Sequence, residues 1–522
     1  MVSIGCPWVT LIHANLGDGS QTGGTPVNVL WFMTDQHRAD CLGCMRPHYA
    51  QTPNIDRLAA EGILFENAFC QSPVCMASRA SLFTGRYPAA VRVRGMGVLP
   101  PAETTFPEVL QRNGFHTAAF GKVHFTPEQY VRNELHEESP TLDWRRFLKM
   151  AGIPPIPEDP CKERYGFQTY VGCEDILQGE FKKWLKEKGQ SSLLEGKPEK
   201  WSAAGPGDLY VSHYPSEYHP TTFIAGQAAE FIEARKGQAQ PWFTFCSFVA
   251  PHHPFEAPED QLARYDAGSL PLPPTAGDVE AALIPSPASD AIGEMCRYPE
   301  NVQRRLILHY LASISLVDDG VGRVLSALER SGQKENTIIL FTSDHGEFLG
   351  HHGLLRKPSL HYDETLQVPL LIRLPGGQHT GRRVSDLVEL TDVHPTLLGL
   401  LGLPVNEGVQ GIDWSSPLRS GGPIGRENVY ADMFDLEPMR FGKRSGPYMA
   451  VQTLRTKHWK LNVYPAAGPQ YGQLFDLVND PGETQNRYAD PACRDRREAL
   501  LWCLLQRLYK NTDPLPFWLT QF

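Results

Sequence analysis

Five short runs of apolar, β-branched and aromatic residues punctuate this 522-residue chain, at 27–34, 116–120, 242–250, 337–342 and 368–372. Each has the length of a strand and is almost continuously hydrophobic, the pattern of strands buried on both faces. Helical patterns lie between them. Residues 54–61 stop at Gly62 and residues 106–113 at Gly114, glycine being the usual helix terminator. Residues 302–331 place Leu306, Tyr310, Ile314, Val317 and Val321 on one face. Strands alternating with helices predict an α/β fold: a large, mostly parallel sheet sandwiched by helices.

Two stretches depart from this pattern. Residues 126–220 are rich in Pro, Gly, Glu and Lys and poor in periodicity. They predict loops and short helices over one end of the sheet, a place for substrate specificity. From about residue 421, short runs at 429–433, 449–453, 459–464 and 473–476 read as antiparallel strands, followed by a helix over 495–509. The expected organisation is a flexible leader (1–26), a catalytic α/β domain (27–420, with the variable region 126–220) and a smaller C-terminal subdomain (421–522). That subdomain would hold an antiparallel sheet, a helix and an aromatic tail, and the tail points to contacts with a second copy, a homo-oligomer. The leader does not read as a signal peptide: it lacks a basic start, and Pro7, His13, Asn15 and Asp18 interrupt its apolar run.

Composition removes several functions. Lys and Arg total 49 against 59 Asp and Glu, a net charge of −10, which argues against a general nucleic-acid binder. No apolar run reaches the roughly 18 residues of a membrane-spanning helix. The eleven cysteines are too sparse for a disulfide scaffold, and their odd number leaves at least one unpaired within the chain. Cys41-Leu42-Gly43-Cys44 has redox spacing but no second Cys or His pair nearby, and reads as structural. There is no Asn-x-Ser/Thr sequon. A cytoplasmic bacterial enzyme is the favoured reading, with a periplasmic or secreted placement left open.

In open parallel sheets the ligand site lies beyond the carboxyl ends of the strands. Here polar residues gather at those ends: Asp35-Gln36-His37, Gly121-Lys122-Val123-His124, Pro251-His252-His253-Pro254 and Ser343-Asp344-His345-Gly346-Glu347. Any one of them is ordinary, since a lone Asp after a strand usually caps a helix. Four at one edge are harder to dismiss. Asp35, Gln36, Asp344 and His345 form a candidate set for a hard divalent ion, Ca²⁺, Mg²⁺ or Mn²⁺, the imidazole shifting weight toward manganese. Glu347 reads as a helix-start carboxylate. His37, His253, His351 and His352 read as outside direct contact with substrate.

The segment from Ser72 to Arg86 carries the most chemistry. A loop with Pro73 leads into a helix beginning near Cys75. Free N–H groups and the positive end of the dipole make a helix start an anion site. Arg79, one turn on, adds a guanidinium fork suited to tetrahedral oxyanions. A cysteine there has a lowered pKa. The combination predicts a reactive side chain facing a sulfate or phosphate group.

Cys75-x-Ala77-Ser78-Arg79, followed by Leu82-x-Thr84-Gly85-Arg86, resembles the signature of the type I sulfatases of the alkaline phosphatase-like superfamily. Asp35, Gln36, Lys122, His124, His252, Asp344, His345 and Lys357 follow the family order, as does Leu474-Phe475-Asp476-Leu477 in the C-terminal subdomain. The resemblance implies an arylsulfatase-like hydrolase of aryl or alkyl sulfates, releasing inorganic sulfate. It implies that Cys75 is oxidised to formylglycine by a formylglycine-generating or sulfatase-maturating enzyme. It also implies one divalent metal, Ca²⁺ foremost with Mn²⁺ or Mg²⁺ as alternatives, held by Asp35, Gln36, Asp344, His345 and residue 75. One hydroxyl of the aldehyde hydrate would attack sulfur. Arg79, Lys122, His252 and Lys357 would bind the sulfuryl group, with His252 and Lys357 also protonating the leaving oxygen. His124 would deprotonate the second hydroxyl, expelling sulfate. Two positions depart from the common pattern: Gln36 and His345 stand where many sulfatases carry Asp and Asn. That pair resembles the related phosphonate monoester hydrolases and phosphodiesterases, which usually lack the Lys122-x-His124 pair kept here. A phosphonate or phosphate-diester activity is therefore the alternative expectation.

Overall fold

The computed structural model describes residues 27–126, 161, 163–175, 177, 179–200, 207–274, 283–285, 288–435 and 449–513. The expected leader, residues 127–160 of the variable region and the aromatic tail from 514 lie outside them. The strands, in chain order, are β1 (Asn28–Thr34), β2 (Ile63–Phe69), β3 (His116–Gly121), β4 (Thr169–Gly172), β5 (Glu199–Lys200), β6 (Leu209–Val211), β7 (Trp242–Ser247) and β8 (Phe255–Ala257). They continue with β9 (Thr337–Ser343), β10 (Gln367–Arg373), β11 (Arg382–Glu389), β12 (Asn428–Asp435), β13 (Met449–Thr456), β14 (Trp459–Val463) and β15 (Gly472–Asp476).

Eight strands form the main sheet in the order β11-β2-β10-β9-β1-β7-β3-β4. Its five neighbours β9, β1, β7, β3 and β4 are all parallel, so their carboxyl ends share one edge. All five runs read from the sequence are strands of this sheet. One of them, β10, runs antiparallel to both β9 and β2. Three further strands, β2, β4 and β11, did not stand out in the sequence. Glu66 and Asn67 interrupt β2, β4 has four residues, and β11 is a partly exposed edge carrying Arg382, Arg383, Ser385 and Asp386.

The near-continuous hydrophobicity has its cause in two cores. Val29, Trp31 and Met33 of β1 face one cluster, together with Met76, Ala80 and Phe83 of the helix Cys75–Thr84 and with Phe106 and Leu397. Leu30 and Phe32 face the other, with Ile224 and Ala228 of the helix Pro220–Ala234 and Val317 and Val321 of the helix Glu300–Arg330. Successive side chains point to opposite faces, so a strand covered by helices on both sides has no polar side. Trp31 stacks on Phe83, with centroids 5.1 Å apart and planes 3° from parallel. That stack seats the Cys75–Thr84 helix against the strand that ends at Asp35.

The C-terminal strands form an antiparallel sheet, β12-β13-β14-β15. The helix Arg494–Lys510 buries Leu500 and Leu504 against Leu454, Leu461 and Leu474. Val429, Met433, Val451 and Phe475 join the same apolar cluster as the main sheet, so one core runs through both sheets. A small third sheet, β5-β6-β8, lies within and after the variable region. Among the described residues, no helix is long and apolar enough to cross a membrane. The ten described cysteines, Cys41 and Cys44 included, are free thiols.

Candidate active site at the strand ends

Each of the five parallel strands delivers polar groups to one edge. β9 ends at Asp344 and His345, β1 at Asp35 and Gln36, β7 at Ser247 ahead of His252, β3 at Lys122 and His124, and β4 at Glu174 and Asp175. Gln36 and His124 hold φ of 65° and 57°, left-handed backbone that few non-glycine residues adopt. Such conformations concentrate where side chains must be aimed.

Cys75 opens a ten-residue helix with no side chain capping its first turn. The residue is 4% exposed, and its thiol lies within electrostatic reach of Arg79 and Lys122. The other signature residues build the helix's surroundings. Ser78 Oγ donates to Asp344 O at 2.6 Å, tying the helix to the end of β9. Ser81 Oγ donates to Arg86 O at 2.6 Å. Gly85 ends the helix at φ 67°, where an added Cβ would meet Val409 and His394.

Arg79 is fully buried and its fork is already engaged. Nε donates to Asp344 Oδ2 at 2.8 Å, one terminal nitrogen to Lys122 O at 2.6 Å and Ser247 Oγ at 3.1 Å, and the other to Asp35 Oδ2 at 3.4 Å. The guanidinium expected to grip an oxyanion therefore braces the two carboxylates. Lys122 is similar. Its Nζ lies 2.9 Å from Asp35 Oδ2 and 2.7 and 2.6 Å from the two oxygens of Asp175. Burial alone would lower its pKa, but Asp175 and Asp35 outweigh that and raise it well above the ordinary value.

Asp35, Asp344 and His345 are buried, with ligand atoms all within 4.8 Å of one another. Asp344 Oδ1 accepts from the backbone N–H of Gln36 at 3.1 Å and of His345 at 2.9 Å. Asp35 Oδ1 is buried with no hydrogen-bond partner, 3.6 Å from His345 Nε2. Burial works against its charge, yet Lys122, His252, Lys357 and Arg79 hold its pKa well below the ordinary value. His345 Nδ1 donates to Gly346 O at 2.9 Å, which leaves Nε2 as the ring's acceptor, facing the carboxylates. Lys357 Nζ donates to that nitrogen at 2.8 Å. Two carboxylates, one with an orphaned buried oxygen, and an imidazole nitrogen in its acceptor form fit a divalent cation. Cys75 is not one of the three residues of that group.

Gln36 differs from its neighbours. Its amide nitrogen donates to Glu347 Oε2, and its Oε1 faces His253 Nδ1 at 3.3 Å. Glu347 is no helix-start carboxylate, because no helix begins there. It is buried and accepts from Gln36, Leu349 N at 2.9 Å and Arg356 N at 2.5 Å. A carboxylate has only acceptors, so it fixes which end of the Gln36 amide is which.

His124 is buried with Nδ1 unpaired. Burial, then the charge of Lys122, lowers its pKa to about 4, so it is neutral at physiological pH. His252 Nδ1 donates to His253 O at 2.5 Å, leaving Nε2 bare and 4.0 Å from Asp35 Oδ1. Burial and Lys357 push its pKa well below the ordinary value. The remaining histidines are engaged elsewhere: His37 with Cys41 O, and His351 and His352 with Glu364.

Asp175 escaped the sequence reading. β4 followed by Cys173-Glu174-Asp175 repeats the strand-then-acid pattern of β1 and β9, but a four-residue strand inside a loop-rich stretch gives little signal. Burial opposes its ionisation, but Lys122, His252 and His124 hold its carboxyl far below the usual range.

The comparisons with known proteins agree with this arrangement. The sulfatase family model matches residues 27–403, and the model for the C-terminal part of N-sulphoglucosamine sulphohydrolase matches residues 350–510. The arylsulfatase of Clostridium perfringens is 28% identical over 490 residues, covering 92% of this chain and 94% of that protein. The multifunctional alkaline phosphatase superfamily protein PehA of Trinickia caryophylli is 30% identical, covering 92% and 96%. The solved phosphonate monoester hydrolase of Agrobacterium radiobacter superposes with a TM-score of 0.75 at 26% identity, covering 94% of this chain and 97% of that one. A family match over most of the chain, on a fold whose parallel strand ends converge on the signature cysteine, leads to one conclusion: the chain belongs to the sulfatase family of sulfuric ester hydrolases.

Proposed function

We propose that this protein hydrolyses aryl or alkyl sulfate monoesters, with Cys75 converted to formylglycine as the nucleophile and a divalent metal held by Asp35, Asp344, His345 and Gln36. The observation that carries this reading is the orphaned Asp35 Oδ1, buried 3.6 Å from His345 Nε2 at the edge shared with Cys75. Ca²⁺ is the expected ion, with Mn²⁺ or Mg²⁺ as alternatives. When bound, it supplies polarisation of the sulfuryl oxygens. The hydrated aldehyde supplies two hydroxyls on one carbon, one to attack and one to release the product.

The protein's own groups supply the rest. Arg79 fixes the spacing of Asp35 and Asp344. Lys122 adds positive potential beside them. His124, neutral and unpaired at Nδ1, is suited to take the proton of the second hydroxyl. Lys357 carries a proton for the leaving oxygen. His252, bare at Nε2, delivers a proton only after gaining one. Cys75 is almost wholly buried, so its conversion by a formylglycine-generating or sulfatase-maturating enzyme must precede folding of this segment.

A second reading rests on the Gln36 and His345 pair and on the structural match to a phosphonate monoester hydrolase. Sulfate monoesters, phosphonate monoesters and phosphate diesters all present a singly charged tetrahedral centre, so one site can serve them. Two measurements test the proposal. The peptide carrying position 75 should weigh less than encoded, sulfur being replaced by oxygen. Turnover of 4-nitrophenyl sulfate should exceed that of the matching phosphate diester and phosphonate. A native-host protein with an unmodified Cys75 that still turns over would overturn the nucleophile assignment.

A further inference from the structure

Lys122 contributes a cation to the proposed site, yet none of its side chain is exposed. The partner that still reaches solvent is Asp175, with 34% of its side chain exposed. Both Asp175 oxygens accept from Lys122 Nζ, at 2.7 and 2.6 Å, while Asp35 Oδ2 lies 2.9 Å from it as an ion-pair partner. An ammonium has three donors, and both hydrogen bonds of Lys122 Nζ go to Asp175. Asp175 therefore brings a fixed negative charge to the solvent-exposed side of the Lys122–Asp35 pair. Such a charge penalises a substrate with two negative charges about twice as much in free energy as one with a single charge.

We propose that Asp175 is a specificity-determining residue that selects singly charged tetrahedral esters and rejects doubly charged phosphate monoesters. The proposal rests on the hydrolase reading above and deepens it. Sulfate monoesters, phosphonate monoesters and phosphate diesters carry one charge near neutrality. A phosphate monoester carries two above its second pKa of about 6. With Asp175 in place, Lys122 directs its hydrogen bonds to that carboxylate rather than to the second charge. Without it, the same lysine keeps only Asp35 as a carboxylate partner and has donors free for the substrate.

The test uses the full-length, metal-loaded enzyme and the variants Asp175→Asn and Asp175→Glu. At a pH of about 8, where the monoester is a dianion, kcat/KM is measured on 4-nitrophenyl sulfate, bis(4-nitrophenyl) phosphate and 4-nitrophenyl phosphate. The ratio of the doubly to the singly charged substrates should rise at least about tenfold in Asp175→Asn. It should stay within about threefold of wild type in Asp175→Glu, which keeps the charge. An unchanged ratio in Asp175→Asn, or an equal rise in both variants, overturns the proposal and leaves Asp175 as a packing partner of Lys122. If Asp175→Asn turns over nothing, calorimetric binding of inorganic sulfate against perchlorate replaces kinetics. A gain for the dianion alone supports the assignment, and an equal gain or none overturns it. Wild-type enzyme inactive on every ester would instead defeat the hydrolase reading, and the anion-binding comparison would still decide the role of Asp175.

Discussion

Arg79 Nε donates to Asp344 Oδ2 at 2.8 Å, and neither side chain exposes any surface. The same guanidinium reaches Asp35. Breaking a buried ion pair by removing one partner leaves uncompensated charge in low dielectric. Arg79→Ala should therefore lower stability by about 3–5 kcal/mol, well beyond a surface substitution. Thermal or urea denaturation of the metal-free protein checks this. An unchanged midpoint would show that the carboxylates do not depend on Arg79.

Glu347 holds the amide of Gln36 from behind. Partners of this kind orient ligands and typically set metal affinity by about 10–100-fold. Glu347→Ala should lose metal to a competing chelator at correspondingly lower chelator concentration, read by bound-metal stoichiometry. Equal retention in mutant and wild type would remove Gln36 or Glu347 from the metal's surroundings.

His124 is kept neutral by burial, with a pKa of about 4. Removing a positioned general base typically costs about 10²–10⁴-fold in rate. His124→Ala should lower kcat by that range while its folding midpoint stays near wild type. A kcat within a factor of about three of wild type would assign the base elsewhere.

Gly121 ends β3 with φ 95°, and an added Cβ would lie 1.9 Å from Ser247 O. Gly121→Ala combines left-handed backbone strain, about 1–3 kcal/mol, with a backbone clash. The variant should unfold at lower temperature and lose activity together, because Lys122 is the next residue and Ser247 bonds Arg79. A variant of wild-type stability would show that the strand ends can separate freely.

Asp318, on the long helix, accepts the backbone N–H groups of Asn54 at 3.2 Å and Ile55 at 2.8 Å, capping the helix Pro53–Ala60 from outside. Burial raises its folded-state pKa from 3.8 to about 6. A raised carboxyl stabilises the fold fully below about pH 4, and that contribution is lost as pH rises through about 6. Asn cannot titrate. Relative to wild type, Asp318→Asn should therefore gain about 2.5 kcal/mol between pH 4 and pH 8. Paired denaturation curves at the two pH values measure it, and a pH-independent difference would contradict the shifted pKa.

Much of this architecture was legible in local patterns. β1, β3, β7 and β9 are hydrophobic runs because both sheet faces are covered, and runs of that kind stand out. Asp35, Lys122, His252 and Asp344 stood out because each follows such a run. β2 and β11 did not, since an edge or interrupted strand draws its identity from pairing with its neighbour rather than from its own composition. Asp175 and Glu347 were missed or misread for the same reason: their chemistry depends on partners 53 and 311 positions away in the chain.

The sequence alone determined the α/β class, the signature helix start at Cys75 and the set of strand-end residues, because periodicity and spacing are local. Only the tertiary structure decided what those residues face. It turned Arg79 inward onto two carboxylates, closed Lys122 between Asp35 and Asp175, and left Asp35 Oδ1 without a partner. Which charge meets which is set by strand order and register, and these follow from how the whole core packs rather than from any one segment.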